Sequence, residues 1–310
     1  MVKTAYIFPG QGSQAVGMGK DLFDNFSAAR KVFKEADDVL SFALSDLCFS
    51  GNEDDLQLTE NTQPAILTTS VAAFRVMEVE GLGTPDLVAG HSLGEYSALV
   101  AAGVLDFSDA VLAVRRRGRY MQEAVPPGVG AMAAILGSDI ETIEAACSEA
   151  ARDEVCSPAN INSPTQVVIA GNAGAVDRAC ELLKERGAKR AVKLNVSAPF
   201  HCELMMPAEE RLAADLDVLH YGDFRFPIVH NVDAEVNTDA SRVRSALTSQ
   251  VSAPVKWLQS VRTLLDNGVD TVVEVGAGKV LSGLMRQINR EIRCLNVENS
   301  DSLGNTKDTL

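Results

Sequence analysis

The sequence predicts an α/β fold, in which short buried strands alternate with helices. Short apolar runs end in glycine or a polar residue, as in TAYIF, DLVAG and VDTVVEVG. Such runs are typical of buried strands. Longer segments between them carry apolar residues at spacings of three and four, which is typical of buried helix faces. The 310 residues suffice for one large α/β domain or for two domains.

The N-terminal part supplies these elements in order. TAYIF is a first strand, a glycine-rich loop follows it, and helical patterns cover about residues 21–47. A mostly buried helix is expected in NTQPAILTTSVAAFRVMEVEG, opened by Pro64. The strand DLVAG and two further helices come next. The second of these, SDAVLAVRRRGRYMQEAV, is expected to stop at Pro126 and Pro127.

The pattern changes at Gly128. The next 70 or so residues read as strand, helix, strand, helix and strand, which resembles a ferredoxin-like unit inserted into a larger fold. The sequence therefore predicts a small insert over residues 128–198 and a large domain formed by 1–127 and 199–310. In the second half of that domain FPIVHNVD and VDTVVEVG are expected strands. The polar tail from about residue 298 is expected to be loose.

Composition narrows the choice of partners and compartment. A net charge of −14 and a pI of about 4.8 disfavour nucleic acid or an anionic membrane as partners. No apolar run approaches the roughly 18 residues of a spanning helix. The six scattered cysteines form no C-x-x-C pair and indicate reduced thiols in a cytoplasmic protein. We expect no cofactor and no metal.

Ser92 is the candidate nucleophile. It lies at the centre of GHSLG, after a short apolar run and before a helical segment rich in Ala, Leu and Glu. A strand, a sharp turn at serine and a helix form the context in which G-x-S-x-G carries an exposed nucleophile. The helix N-terminus also directs backbone N–H groups at any negative charge nearby. The alternative is a small residue in a structural turn.

A serine nucleophile needs a base, and the chain has four histidines. His91 is adjacent to Ser92, so its side chain should point away from the serine hydroxyl. His220 and His230 flank a strand-like stretch and fit ordinary structural positions. His201 follows the end of a strand, where α/β folds gather catalytic groups, and is the candidate base.

The arginine cluster VRRRGRY lies on a predicted helix with one apolar stripe. Arg116 and Arg119 fall on the side opposite that stripe. Arg115 and Arg117 both flank it, each about 80° from its centre. Either could turn inward and hold a carboxylate with two N–H donors, and the spacing does not choose between them.

The loop GQGSQ follows the first strand and partly imitates a dinucleotide fingerprint. That fingerprint also requires an acidic residue at the end of a second strand, and here Asp37 and Asp38 fall in a helical pattern. No G-K-[S/T] pair is present for a phosphate-binding loop. The loop is interpreted either as a backbone donor beside the serine turn or as a purely structural turn.

Seven segments together resemble a known family. FPGQGSQ, TQPAILT, GHSLGEYSALVAAG, RRRGRYMQEAV, NINSPTQVVIAG, SAPFH and EVGAGKVL stand in the order found in the malonyl-CoA:acyl carrier protein transacylases. The resemblance extends from residue 6 to about 285. It implies a large α/β-hydrolase-like domain with a parallel sheet and a ferredoxin-like insert. Two departures are Ala277, where the family pattern has proline, and Phe200, which lies at a variable position.

The resemblance also implies roles for individual residues. Ser92 would be the nucleophile and His201 its base, with the main-chain carbonyl of Gln250 orienting the histidine. Arg117 would pair with the free carboxylate of the malonyl group. The remaining implied contributors are the backbone N–H groups of Gln11 and Leu93, which would form the oxyanion hole, and Gln63, which would line the pocket.

The implied activity is transfer of malonyl from malonyl-CoA to the phosphopantetheine thiol of holo acyl carrier protein, for fatty acid synthesis. A malonyl-serine intermediate makes this a two-step, ping-pong reaction. The first alternative is a serine thioesterase or esterase, which shares the serine and the histidine but transfers the acyl group to water. The second is a binding module in which G-x-S-x-G is accidental.

Overall fold

The computed structural model describes residues 3–196 and 198–310. Residues 1, 2 and 197, which fall within the predicted ranges 1–127 and 128–198, lie outside the described residues. The strands are β1 (Thr4–Phe8), β2 (Leu87–Gly90), β3 (Gly130–Leu136), β4 (Cys156–Ser163), β5 (Gln166–Asn172), β6 (Arg190–Lys193), β7 (Ile228–Val229), β8 (Val236–Asn237), β9 (Thr271–Val275) and β10 (Arg293–Val297).

Helices connect and cover these strands. They are α1 (Lys20–Asn25), α2 (Ser27–Leu40), α3 (Leu44–Ser50), α4 (Glu53–Gln57), α5 (Thr59–Val79), α6 (Gly94–Ala101), α7 (Phe107–Ala124), α8 (Ile140–Ala151), α9 (Ala173–Glu185), α10 (Met206–Asp217), α11 (Val243–Ser249), α12 (Trp257–Asp266), α13 (Val280–Ile288) and α14 (Ser300–Lys307). Short 3₁₀ turns at Glu203–Met205 and Ala240–Arg242 precede α10 and α11.

The larger sheet has the strand order β10-β9-β1-β2-β7-β8. The first five strands are parallel, and β8 returns antiparallel to β7. The N-terminal strand β1 therefore lies at the centre, with Phe8 opposite Gly90 in β2. The predicted α/β fold with a parallel sheet is confirmed.

Both faces of this sheet are buried because side chains alternate along each strand. Tyr6 and Phe8 of β1 pack in one hydrophobic cluster with α2, α5 and α7, whereas Ala5 and Ile7 pack in another with α12 and α13. The long helix α5 is buried along most of its length. The parallel strands thus lie between two layers of helices, which fixes the carboxyl end of β2 and the turn that follows it.

The smaller sheet has the order β4-β5-β3-β6 with every pair antiparallel. Helices α8 and α9 share a separate hydrophobic cluster with it. The predicted strand-helix-strand-helix-strand run lacked one strand, because β4 reads CSPANINS and is rich in Pro, Asn and Ser. Its side chains are nevertheless mostly buried or partly buried between β5 and the rest of the molecule.

Two further local expectations were wrong. Pro64 does not open α5 but lies inside it, in the sixth position. Proline lacks an N–H, so the carbonyl of Glu60 loses its helical donor. Arg115 of α7 donates to that carbonyl through Nη1 at 3.2 Å. The proline is tolerated because a side chain from the neighbouring helix replaces the missing donor.

The tail is also ordered, contrary to expectation. Asn299 caps α14, its side chain accepting from the Ser302 N–H at 2.9 Å while Ser302 Oγ accepts from the Asn299 N–H at 3.0 Å. Leu303 and Thr306 are buried against the sheet, beside β10. The sequence analysis did not predict the strand β10. The polar residues that suggested a loose segment form a capping box.

We expect Leu303→Ala to lower the free energy of unfolding by about 2–4 kcal/mol, because it removes a buried side chain from a packed helix. Chemical denaturation measures the change, with Asn305→Ala on the exposed face of α14 as the matched control. The control should change stability by less than about 0.5 kcal/mol. Equal, small effects of both substitutions would show that the tail does not contribute to the fold.

Candidate active site

Ser92 lies in a sharp turn between β2 and α6. Its φ of 51° is in the left-handed region, which is uncommon for a residue other than glycine. The flanking glycines are required by close backbone contacts: a Cβ on Gly94 would lie 2.0 Å from the carbonyl oxygen of Phe8, and one on Gly90 would lie 2.0 Å from Gly94. The strand, turn and helix expected for G-x-S-x-G are therefore present.

His201 contacts the serine directly. Its Nε2 is 2.7 Å from Ser92 Oγ, and its Nδ1 is 2.8 Å from the main-chain oxygen of Gln250. A carbonyl oxygen only accepts, so Nδ1 carries the proton and Nε2 is free to accept the serine hydroxyl. No carboxylate is needed to fix this tautomer. Residues 92, 201 and 250 thus form a linear chain of hydrogen bonds.

The environment keeps His201 neutral. The side chain is 4% exposed. Burial, followed by the nearby positive charge of Arg117, lowers the pKa of His201 from 6.5 to about 3. Both causes disfavour the protonated form. At neutral pH the imidazole is therefore able to accept a proton.

Arg117 is the arginine that faces the serine. It is 2% exposed, and it donates from Nη2 to Ser92 Oγ at 3.1 Å and to Gln250 Oε1 at 2.9 Å. Its Nη1 donates to Gln63 Oε1 at 2.7 Å. Arg115 instead lies with its guanidinium 4.6 Å from the ring centroid of Phe42, bonded to the residues that begin α5. Of the two arginines that helical spacing left open, Arg117 is therefore the one that lies at the serine, and its role toward a carboxylate stays a prediction.

The three acceptors of Arg117 are all uncharged, and its Nε has no partner among residues 3–196 and 198–310. Burial lowers the pKa of Arg117, although an arginine stays charged over the physiological range. A buried cation bonded only to neutral groups retains most of its attraction for an anion. The site therefore suits a ligand that carries a carboxylate.

The GQGSQ loop packs against the serine turn. A Cβ on Gly10 would lie 2.3 Å from the carbonyl oxygen of His91, so the two loops touch through their backbones. The side chain of Gln11 lines the cavity and donates to Thr59 Oγ1 at 3.2 Å. Leu93 follows Ser92 at the entry to α6. The loop therefore lies beside the serine turn, and its role as a backbone donor stays a prediction.

A cavity of about 340 Å³ opens above these groups. Ser92, Arg117 and Gln63 line it from the parallel-sheet part, and Met132 and Asn160 line it from the antiparallel sheet. Its apolar wall is completed by Met121, Leu194, Val196 and Phe200. The volume and the mixture of apolar and polar walls suit a small acyl group entering between the two sheets.

Sequence reasoning missed two side chains that form hydrogen bonds with the backbone of the serine turn, those of Asn231 and Gln250. Asn231 accepts the Ser92 N–H through Oδ1 at 2.7 Å and donates from Nδ2 to the Gly90 carbonyl at 2.7 Å. The side chain of Gln250 was also missed, since only its main-chain oxygen was expected to take part. The only available signal was that Asn231 comes just after a short apolar run, separated from it by His230.

The described residues form neither a metal-binding cluster nor a membrane-spanning helix. Within the described part of the chain, no group of three or more His, Cys, Asp or Glu side chains is placed to hold a metal ion. None of the described helices has the length and apolar character needed to cross a membrane. The cytoplasmic location stays a prediction.

Comparison with known proteins adds to this geometry. The family model for the acyl transferase domain matches residues 5–309. The chain belongs to the acyl transferase domain family. Among curated members, the malonyl CoA-acyl carrier protein transacylase of Bacillus subtilis is 48% identical over 311 residues, which cover 100% of this chain and 98% of the relative. The resemblance inferred from the seven sequence segments is confirmed.

Solved structures of family members have the same fold. An acyl carrier protein S-malonyltransferase from Vibrio cholerae superposes with a TM-score of 0.97 at 48% identity, covering 98% of this chain and 100% of the other. A second structure, of a holo type II PKS acyl-carrier protein in complex with its malonyl-transacylase, matches with a TM-score of 0.97 at 46% identity and covers 99% of this chain and 100% of that one. The mixed α/β architecture is therefore that of the family.

We expect the imidazole of His201 to titrate far below the usual value of about 6.5. NMR titration of the histidine ring carbons, assigned with His201→Gln, should show no protonation of this ring between pH 5 and 8. Arg117→Gln removes a nearby positive charge, so the pKa of His201 should rise while staying below 6.5 because the ring remains buried. A wild-type pKa near 6.5 would contradict this account.

Proposed function

We propose that the chain transfers the malonyl group of malonyl-CoA to the phosphopantetheine thiol of holo acyl carrier protein, through a malonyl ester on Ser92. The observation that carries the proposal is the joint placement of three groups. A neutral His201 lies 2.7 Å from the serine oxygen, and the buried Arg117 lies 3.1 Å from it on another side. The names of the relatives support the same donor and acceptor.

In the first half-reaction His201 Nε2 takes the Ser92 proton as Oγ attacks the thioester carbonyl. The backbone N–H groups of Gln11 and Leu93 are proposed to hold the resulting oxyanion. The tetrahedral intermediate collapses, the C–S bond breaks, and the coenzyme A thiolate takes the proton from His201. In the second half-reaction the carrier-protein thiol gives its proton to His201, attacks the ester carbonyl and releases Ser92, which recovers its proton.

Arg117 is proposed to bind the free carboxylate of the malonyl group. Its hydrogen-bond acceptors are uncharged, and its Nε has no partner within the part of the chain that the structure describes, so its positive charge stays available to an anion. Gln63 and Gln250 hold Nη1 and Nη2 in place, so less ordering is needed when the donor binds. A charge-assisted hydrogen bond contributes roughly 1.5–3 kcal/mol, or about 10–150-fold in rate or affinity.

The domain organisation belongs to the same proposal. We infer that residues 128–198 form a ferredoxin-like insert, and that 1–127 and 199–310 form an α/β-hydrolase-like domain. The order β4-β5-β3-β6 with two helices on one face supports the first assignment, and the strand-serine-helix turn supports the second. In this division the large domain supplies the reacting groups and the insert covers the acyl chain.

The test is intact-protein mass after mixing with malonyl-CoA, before and after addition of holo acyl carrier protein. Wild type should gain one malonyl group and lose it to the carrier protein, whereas Ser92→Ala should gain none because the attacking oxygen is absent. Malonate released to solvent without transfer would instead indicate the serine thioesterase or esterase alternative. No adduct and no hydrolysis would contradict both enzymes.

We expect Arg117→Gln to slow acylation by malonyl-CoA about 10–150-fold in kcat/KM, because the carboxylate loses its charged partner. Acylation by acetyl-CoA, which has no free carboxylate, should change much less. Single-turnover acylation followed by mass measures both rates. Arg115→Gln is the matched control on the same helix, and it should leave the ratio of the two donors unchanged. An unchanged ratio in Arg117→Gln would remove the proposed role.

A further inference from the structure

A buried carboxylate lies beneath the serine turn. Glu95, in the first turn of α6, is fully buried. Its Oε1 lies 2.6 Å from His230 Nδ1, and its Oε2 accepts from the Asn231 N–H at 3.0 Å and from Gln250 Nε2 at 2.8 Å. The Asn231 N–H and the Gln250 NH₂ group can only donate. The role of His230 depends on where its ring carries a proton.

Asn237 determines which ring nitrogen of His230 carries the proton. The amide of Asn237 has one orientation, since its Oδ1 accepts from the Asp239 N–H at 2.9 Å and its Nδ2 donates to the Asp239 carbonyl at 3.0 Å. The same Nδ2 lies 2.9 Å from His230 Nε2, so that nitrogen accepts and carries no proton. His230 is therefore a neutral ring that donates from Nδ1. Glu95 receives donors only, which is the set that an ionised carboxylate requires.

The side chain of Gln250 joins this carboxylate to the site. Its Nε2 donates to Glu95, and its Oε1 accepts from Arg117 Nη2 at 2.9 Å. A flipped amide would place its oxygen against the carboxylate and its NH₂ against the guanidinium, and both contacts would be repulsive. Glu95, together with the Ser92 carbonyl oxygen that accepts from the same Nε2 at 3.0 Å, therefore determines which way the amide faces. Glu95 also supplies a buried negative charge one side chain away from a buried arginine whose acceptors are neutral.

We propose that Glu95 is a positioning residue that determines donor specificity, because it orients Gln250 and so holds Arg117 beside Ser92. The inference rests on the proposed malonyl transfer and names a residue on which its selectivity depends. The main-chain oxygen of Gln250 holds His201 for every acyl donor. The side-chain oxygen of Gln250 holds Arg117, which matters only for donors that carry a carboxylate. Loss of Glu95 should therefore lower the preference for malonyl-CoA over acetyl-CoA.

The variant Glu95→Gln keeps the size of the side chain but presents an NH₂ group to donors that need an acceptor. We expect the ratio of kcat/KM for malonyl-CoA to that for acetyl-CoA to fall at least about tenfold. Single-turnover acylation of the full chain measures both rates. The matched control is Glu274→Gln, which changes an equally buried carboxylate that accepts the N–H groups of Leu281 and Ser282 at the start of α13. The control should leave the ratio unchanged.

A merely structural Glu95 would lower both rates by the same factor, and an unchanged ratio in folded Glu95→Gln would overturn the proposal. Where that variant fails to fold, Gln250→Met decides, because it keeps the main-chain oxygen for His201 and removes the side-chain amide that links Arg117 to Glu95 and to the Ser92 carbonyl oxygen. Its ratio should fall as well, and an unchanged ratio would overturn the proposal. In the double variant the ratio should fall no further than in Gln250→Met alone, because both changes act through one amide.

The wild-type reaction separates this inference from the function on which it rests. A wild-type chain that forms no malonyl adduct would contradict the proposed function itself. A wild-type chain that forms the adduct and discharges it to carrier protein, with variants that keep their donor ratio, would contradict only the role of Glu95. A lower ratio of malonyl-CoA to acetyl-CoA acylation in both Glu95→Gln and Gln250→Met, with an unchanged ratio in Glu274→Gln, supports the proposed function and the role of Glu95.

Discussion

The site depends on Arg117, which is buried beside the serine and contacts no carboxylate among the described residues. An unpaired buried charge is costly unless hydrogen bonds replace water. Here Gln63 and Gln250 provide that replacement, and the negative charge of Glu95 lies behind the second amide. The positive charge of Arg117 has two effects. It helps to keep His201 unprotonated, and it remains available to an anionic substrate.

Much of the fold could be predicted because its strands are short apolar runs with clear ends. TAYIF, DLVAG and VDTVVEVG all became strands of the parallel sheet. The failures at β4 and at the tail have a common cause, which is that polar residues were interpreted as exposed ones. In β4, Asn160, Asn162 and Ser163 are buried, and Asn160 lines the cavity. In α14 polar residues form a cap, and a cap is indistinguishable in composition from a polar loop.

The candidate nucleophile Ser92 and the candidate base His201 could be found from local context, but the contacts between distant segments could not. Helical geometry placed Arg115 and Arg117 symmetrically about the buried stripe, so only the resemblance chose between them. In the structure Pro64 decides the matter for Arg115, because the proline leaves a carbonyl that this arginine occupies. The Glu95 network was invisible because its members come from segments 135 to 155 residues apart.

The central position of β1 has a consequence for the order in which the chain folds during synthesis. β1 pairs with β2 on one side and with β9 on the other. The second pairing, in which Thr4 lies opposite Thr271, cannot form until β9 has been synthesised. The antiparallel sheet, by contrast, uses a continuous stretch from Gly130 to Lys193. Contacts between distant segments form slowly because a long loop must close first. A growing chain therefore carries an unpaired sheet edge at β1, open to other strands, until β9 emerges.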